Sequence, residues 1–278
     1  MIFSTFVAQT DICRLLLQHE LLKGAFEGRL IICPTLILPG DCILDSGAGS
    51  GTWLLDILKE IPTSTAVYAI DIEPKLFPVN EELIASRGNV HFETATITKL
   101  PMIWSNKFNL IHQRLLVAAL REGEWQLALA EMMRGLLPGG WVQLGEVGSW
   151  SAGPFTSTHL RLVQQLFKAK GLMLDCARHI PDMLRASGFV NIQTVERTIP
   201  LGKWAGEEGV KARDNFIGVF KGIKTPILNA GGLGVVETEA EFDALLESVE
   251  KEWDNTRDST IEFHVFYAQK PFMSSSQE

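Results

Sequence analysis

The sequence predicts an α/β fold built on a largely parallel sheet with helices on both faces. Three observations carry that prediction. From residue 41 onward, short apolar runs alternate with helical stretches. A glycine-rich turn, with Gly47, Gly49 and Gly51, joins the first apolar run to the first helix behind it. The composition is that of a globular chain, with 46% hydrophobic and 21% charged residues and a mean hydropathy of +0.12. Domains run to about 100–200 residues, so 278 residues fit one elaborated domain over 1–278.

The elements follow in order. Ala8–Glu27 places Ile12, Leu15, Leu16, His19, Leu22 and Phe26 at helical spacing, forming an amphipathic helix within a cap over residues 1–30. Cys42–Leu44 is the first strand, and Trp53–Glu60 is the helix after the glycine turn. Ala66–Ile70, Val90–Phe92, Phe108–Ile111 and Trp141–Leu144 are further strand-type runs. Glu124–Leu137 is a helix that Pro138-Gly139-Gly140 should stop. Ser157–Lys170 and Ile180–Ala186 are helical, Gly188 closes the second of them, and Phe189–Val195 is a strand. Lys211–Ile223 and Glu239–Trp253 are helical, and Ile261–Ala268 is a late strand. Residues 200–258 interrupt the sheet pattern and suit a helical lid or substrate-recognition insertion. The tail Ser274–Glu278 is low in complexity and should fray.

Charge and cysteine usage exclude several classes. The 25 Lys and Arg against 33 Asp and Glu give a net charge of -8, with no basic cluster. A protein that neutralises nucleic-acid phosphates needs such a cluster, so no nucleic-acid partner is expected. Cys13, Cys33, Cys42 and Cys176 form neither a metal-spaced pair nor a disulfide framework, and read as buried reduced thiols. The N-terminus lacks a signal-peptide pattern. The most apolar run, Leu30–Leu44, is broken by Pro34, Pro39, Gly40 and Asp41 and cannot span a bilayer. No membrane partner and a cytoplasmic location are therefore expected.

The stretch CILDSGAGSGTWLLDI is the informative one. Glycines let the chain turn sharply and let a ligand approach the backbone, and the helix behind them offers unpaired N–H groups. The dinucleotide fingerprint requires glycine where Thr52 stands, and a phosphate loop requires a lysine that this turn lacks. The pattern is instead D-x-G-x-G-x-G, with Asp45 ending the strand. A carboxylate there suits a ligand bearing an ammonium group, and S-adenosylmethionine (SAM) is such a ligand. Asp71 ends the second apolar run, where an acidic side chain can accept both ribose hydroxyls.

With these residues in view, the chain resembles the class I SAM-dependent methyltransferases, and more narrowly a fungal LaeA-like group associated with secondary metabolism. The resemblance is carried by QHELLKGAFEGRL, ILDSGAGSGTWLLDI, FNLIHQRLL, LLPGGWVQLGE, MLRASGFVNIQ, IPLGKW and HVFYAQKP, from about Arg14 to Pro271. It implies a Rossmann-like sheet of seven strands in the order 3-2-1-4-5-7-6, strand 7 antiparallel, with an N-terminal helix and a helical lid. It implies SAM as cofactor, S-adenosylhomocysteine as product, and a small-molecule substrate. Around the cofactor it places Asp45, Gly47, Ala48, Gly49, Gly51, Asp71, Ile72, Thr94, Ala95, Thr96 and Gln113. The group usually carries an acidic residue after strand 3 to meet the adenine amino group. Here Thr94, Ala95 and Thr96 fill that stretch, so a hydroxyl or a backbone carbonyl has to serve, or the cofactor is held more weakly.

Methyl transfer from a sulfonium asks the protein to align the nucleophile and exclude water, so no sequence motif is obligatory. The candidates for catalysis are His19 on the N-terminal helix, Gln113 and Arg114 after strand 4, and Glu146 after strand 5. Two of these and the neighbouring His112 have a plainer reading: His19 as a core histidine, Arg114 as a structural ion pair, and His112 as a packed strand residue. No carboxylate follows strand 4, so no metal is expected. Trp150 and Trp204 border the lid and are the tryptophans best placed for a substrate pocket. The preferred acceptor is oxygen, with nitrogen next. The alternatives are a SAM-retaining pericyclase or isomerase and a non-catalytic regulator of the same fold.

Overall fold

The computed structural model describes residues 9–272; residues 1–8 of the expected cap and the tail Ser274–Glu278 lie outside it. Seven strands form one sheet in the order β3-β2-β1-β4-β5-β7-β6. They are β1 (Cys42–Ser46), β2 (Ala66–Asp71), β3 (Val90–Thr94), β4 (Phe108–Arg114), β5 (Leu136–Ser151), β6 (Val190–Pro200) and β7 (Thr260–Gln269). β1 to β5 pair in parallel, while β7 runs antiparallel between β5 and β6.

The helices are α1 (Gln9–Ala25), α2 (Thr52–Glu60), α3 (Glu82–Arg87), α4 (Glu122–Gly135), α5 (Pro154–Lys170), α6 (Cys176–Ala186), α7 (Gly206–Lys221), α8 (Lys224–Asn229) and α9 (Glu239–Asn255). Trp53, Leu54, Ile57 and Leu58 of α2 pack with Ile43, Val67 and Leu110 on one face. Trp125, Leu129 and Met132 of α4, with Ile180 and Leu184 of α6, cover Leu44, Ile111 and Val142 on the other. A sheet buried on both faces needs near-continuous apolar strands, which is what these short runs are. The stretch between β6 and β7 holds α7, α8 and α9, and α9 also packs against α5.

Strands β1 to β4 extend one to three residues past their apolar runs, each at its carboxyl end. Asp45, Asp71, Thr94, Gln113 and Arg114 therefore stand within ladders rather than in loops. β5 differs most. It begins at Leu136, directly after α4, and runs through Pro138-Gly139-Gly140 instead of waiting for Trp141. A register shift against β4 between Phe108 and Leu110 absorbs the irregularity. Gly139 sits at φ +83°, and a Cβ on Gly140 would lie 2.9–3.2 Å from three backbone carbonyl oxygens. The helices α3 and α8, six residues each, were too short for a periodic signal. All four cysteines are free thiols; Cys33 and Cys176 are buried as expected, but Cys13 is exposed on α1.

One side chain of β5 ties the middle of the segment between α1 and β1 to the sheet. Gln143 of β5 is buried; its Oε1 accepts from the Ile32 and Cys33 N–H groups at 2.6 and 3.2 Å, and its Nε2 donates to the Leu30 carbonyl at 2.9 Å. Gln143→Leu strips all three bonds while filling similar volume. An orphaned buried group costs about 1–3 kcal/mol, so urea denaturation should show a loss of about 3 kcal/mol or more at unchanged m-value. A loss below about 1 kcal/mol would mean that water takes the place of the amide.

Candidate functional site

The strand register brings the polar residues together. Asp45 of β1 stands opposite His112 of β4, and His112 opposite Gln143 of β5. Side chains alternate along strands, so Asp45, His112 and Arg114 share the α1–α2 face, while Ser46, Gln113 and Glu146 share the α4–α6 face. Asp45 Oδ1 lies 2.8 Å from His112 Nδ1, both residues being buried. Trp53 stacks on the His112 ring with centroids 3.7 Å apart. Burial pushes the His112 pKa down, against the pull of Asp45 and with help from the Arg114 charge. The neutral ring therefore donates from Nδ1 to the carboxylate.

The glycine turn between β1 and α2 is tight by construction. Gly47, Gly49 and Gly51 have φ of +70°, +53° and +70°, in the region that favours glycine. A Cβ on Gly47 would come 2.8 Å from Leu116 Cδ2, and one on Gly51 2.5 Å from Pro78 Cγ, whereas Gly49 faces open space. The N–H groups of Gly47 and Ala48 both point to the Ile70 carbonyl. Asp71 braces the turn from β2: Oδ2 accepts the Gly49 N–H at 2.9 Å and Oδ1 the Glu73 N–H at 3.0 Å. Two acceptor sites on that carboxylate remain for a ligand. Ile72 beside it is 49% exposed, a large apolar side chain left open next to the turn. Beyond β3, Thr96 and Thr98 hydroxyls lie 2.9 Å apart and the Ala95 N–H donates to the Asp71 carbonyl.

His19 reaches this edge from α1. It is buried, with Nε2 3.0 Å from Asp56 Oδ2 of α2. Burial, and next the Arg114 charge, push its pKa down, opposed by the Asp56 bond. The neutral ring donates from Nε2, which leaves the lone pair on Nδ1, and that atom is buried without a partner. Burial raises the Asp56 pKa, but bonds from Lys23, Lys59 and His19 outweigh it and hold the carboxyl well below the carboxylate range. His19, Glu20 and Asp56 bring metal-ligand atoms within 4.8 Å of one another, although both lysines already occupy Asp56. No sequence signal joined His19 to Asp56, 37 residues away.

Arg114, half-buried at the end of β4, donates to Thr52 Oγ1 at 3.2 Å. Among the described residues no carboxylate stands within ion-pair distance of it. Burial pushes its pKa down to about 10, against the pull of Asp45 and Asp56. Lys23, Trp53, His112, Arg114, Gln143 and Phe263 line the cleft beneath α1. On the opposite face the Gln113 amide takes the Ser46 hydroxyl on Oε1 at 3.1 Å, and its Nε2 is buried without a partner. Glu146 is fully buried, with its oxygens on the Leu116 and Val117 N–H groups at 2.8 and 3.2 Å. Burial pushes it up to about 8, with those two N–H groups pulling the other way. His264 lies between Glu196 and Glu262 on β7, away from the turn.

Three buried polar atoms around the turn thus lack partners: His19 Nδ1, Asp45 Oδ2 and Gln113 Nε2. Native interiors pair such atoms, so a cluster of orphans marks a place for a polar ligand. Together with the unpaired Arg114 cation and the open side of Gly49, they fit a molecule carrying both an ammonium and a carboxylate group. The amino-acid end of SAM is such a group. Trp150 Nε1 of β5 and both nitrogens of His159 of α5 form a second set of orphans, beside Phe220 of α7. Trp204 instead donates to the Leu201 carbonyl.

A family model described as "Methyltransferase domain" matches residues 43–140. The N-methyltransferase verN of Clonostachys rogersoniana is 30% identical over 274 residues, covering 95% of this chain and 91% of that protein. The N-methyltransferase tcpN of Claviceps purpurea is 28% identical over 257 residues, covering 88% and 89% respectively. Among solved structures, geranyl diphosphate methyltransferase in complex with SAM superposes with a TM-score of 0.56 at 11% identity, over 97% of this chain and 93% of that one. The last likeness is one of fold.

The turn itself yields a test. Gly47→Val puts a branched side chain at φ +70° and against Leu116. Calorimetry should find S-adenosylhomocysteine binding abolished in a variant that still unfolds cooperatively. Undiminished binding would remove the turn from the ligand site.

Proposed function

The chain belongs to the class I SAM-dependent methyltransferases, and from that membership we propose that it methylates nitrogen on a small-molecule secondary metabolite. The names of the two fungal relatives support nitrogen. The oxygen acceptor preferred from the sequence finds no support in them and gives way to its runner-up. The observation that carries the site is the set of orphaned polar atoms beside an unpaired guanidinium at the glycine turn.

In this reading Asp71 accepts the ribose hydroxyls through its remaining lone pairs, and Ile72 and Thr94 to Thr96 border the adenine. Gly47, Ala48, Gly49 and Gly51 bring backbone close to the amino-acid end. Asp45 Oδ2 accepts from the ammonium group, and Arg114 pairs with the carboxylate, which releases it from the role of nucleophile partner. When bound, the cofactor supplies an electrophilic sulfonium methyl group. His19 then acts as general base, because its Nδ1 lone pair is free and its lowered pKa keeps the ring neutral near pH 7. Asp56 holds that tautomer by accepting from Nε2. Gln113 Nε2, buried without a partner on the far side of β4, is left to donate to a bound ligand. Helices α5, α7 and α9 exclude water.

Mass spectrometry of the reaction tests the activity: the product should be one methyl heavier, with one S-adenosylhomocysteine released per product. An isomer of unchanged mass with SAM unconsumed would favour the SAM-retaining alternative. For the cofactor residues, Asp71→Ala should weaken S-adenosylhomocysteine by roughly 1.5–3 kcal/mol, the range for hydrogen bonds to charged groups. Arg114→Met should weaken it by at least as much, with Tm held or raised because a desolvated cation is gone. Calorimetry showing unchanged affinity in either variant contradicts that residue's assignment.

A further inference from the structure

Glu146 was a candidate for direct catalysis, but its position suits another task. It stands on the α4–α6 face of β5, opposite to the face of Asp45, His112 and Arg114. Both of its oxygens are spent on backbone N–H groups of the turn after β4, those of Leu116 and Val117. That turn is costly to hold. Leu115 sits at φ +59°, a left-handed conformation that disfavours a residue with a Cβ. Its N–H is fixed to the Gly145 carbonyl at 2.8 Å, next to Glu146 in the chain. The turn then carries the Leu116 side chain over the glycine loop, so close that a Cβ on Gly47 would lie 2.8 Å from Leu116 Cδ2.

We infer that Glu146 is a positioning residue: a two-point clasp that holds the turn after β4 so that Leu116 forms one wall of the cofactor's glycine loop. Four links make the chain: Glu146 carboxylate, Leu116 and Val117 amides, Leu116 side chain, Gly47. A carboxylate is suited to it, because ionised it accepts at both oxygens and donates at neither. The titratable groups beside it are Cys176 of α6, whose thiol burial holds in the protonated form, and His264, its cross-strand partner on β7. The inference rests on the glycine loop being the cofactor site.

The test uses the full-length protein and S-adenosylhomocysteine at about pH 9, above the value of about 8 to which burial raises Glu146. Glu146→Gln keeps the shape but turns one acceptor into a donor that faces an N–H. Calorimetry should show S-adenosylhomocysteine binding weakened about tenfold, and NMR should show the Leu116 and Val117 amides exchanging faster with solvent. Glu146→Asp, which keeps both acceptors, should recover part of the affinity. Leu116→Ala, with Glu146 intact, should weaken binding to a similar degree, and the double variant should be no weaker than the worse single one. Affinity within twofold of wild type in folded Glu146→Gln, with the amides freed, makes the clasp structural only and overturns the inference. Should Glu146→Gln not fold, Leu116→Ala decides: unchanged affinity there overturns it as well. Wild-type protein that binds no S-adenosylhomocysteine overturns the cofactor reading itself, a result separate from failure of the clasp.

Discussion

The site depends on one topological constraint. β1 and β4 lie side by side, yet the chain leaves β1 towards one face through α2 and leaves β4 towards the other through α4. The two connections diverge and open a crevice at the carboxyl ends of the strands. The helices that follow the two strands do not close that crevice, so its residues can be polar while the rest of the sheet stays apolar. Asp45, Ser46, His112 and Gln113 are all buried at this point, directly beyond Ile43, Leu44, Leu110 and Ile111. Burying polar groups is tolerated only if they find partners. The Asp45–His112 and Ser46–Gln113 contacts satisfy one end of each side chain and leave Asp45 Oδ2 and Gln113 Nε2 for something else.

Burial also sets the protonation states, in two opposed directions. The His19, His112 and His159 pKa values are lowered, each by desolvation first. The unfolded chain binds more protons at these positions below about pH 6.5, so their contribution to stability is present above that pH and is lost as pH falls through it. Glu146 is raised to about 8, so the folded state holds the extra proton between the unfolded value and about 8. Its contribution is present at low pH and declines as pH rises through that window. At higher pH the protein therefore bears a desolvation cost for a buried carboxylate whose two oxygens meet backbone N–H groups.

Much of this was legible in the sequence, for reasons that can be named. The glycine turn was visible because three positions at positive φ within five residues leave little choice of residue type. Asp71 was visible because it ends an apolar run. The strand order came through resemblance, since apolar spacing finds strands but does not order them. Strand ends were set too early, because Asp45, Gln113 and Arg114 look like loop residues and yet continue the ladder. The start of β5 was missed because Pro138-Gly139-Gly140 is a stop signal by composition and a bulged strand by structure. The His19–Asp56 contact was hidden because it joins two helices through tertiary packing, which no local spacing encodes. Which face Glu146 takes was likewise set by register, and a shift of one residue would have put it over the cleft.

The same helix that supplies His19 connects the cofactor side to the helices over the sheet. On one side α1 is fixed to α2 by the buried His19–Asp56 contact and by Lys23. On the other, the Asn215 amide of α7 donates to the Arg14 carbonyl, and Arg197 of β6 donates to the Ala25 carbonyl. α7 is fixed in turn to α9 by Arg213 and Asp254, both largely buried. A buried charge pair resists sliding, because moving one partner leaves the other uncompensated. α7, α9 and α1 therefore shift together or hardly at all. Any movement of α7 pulls on α1, and so on the buried His19. The setting of His19 and the position of the helices between β6 and β7 are thus coupled through one helix.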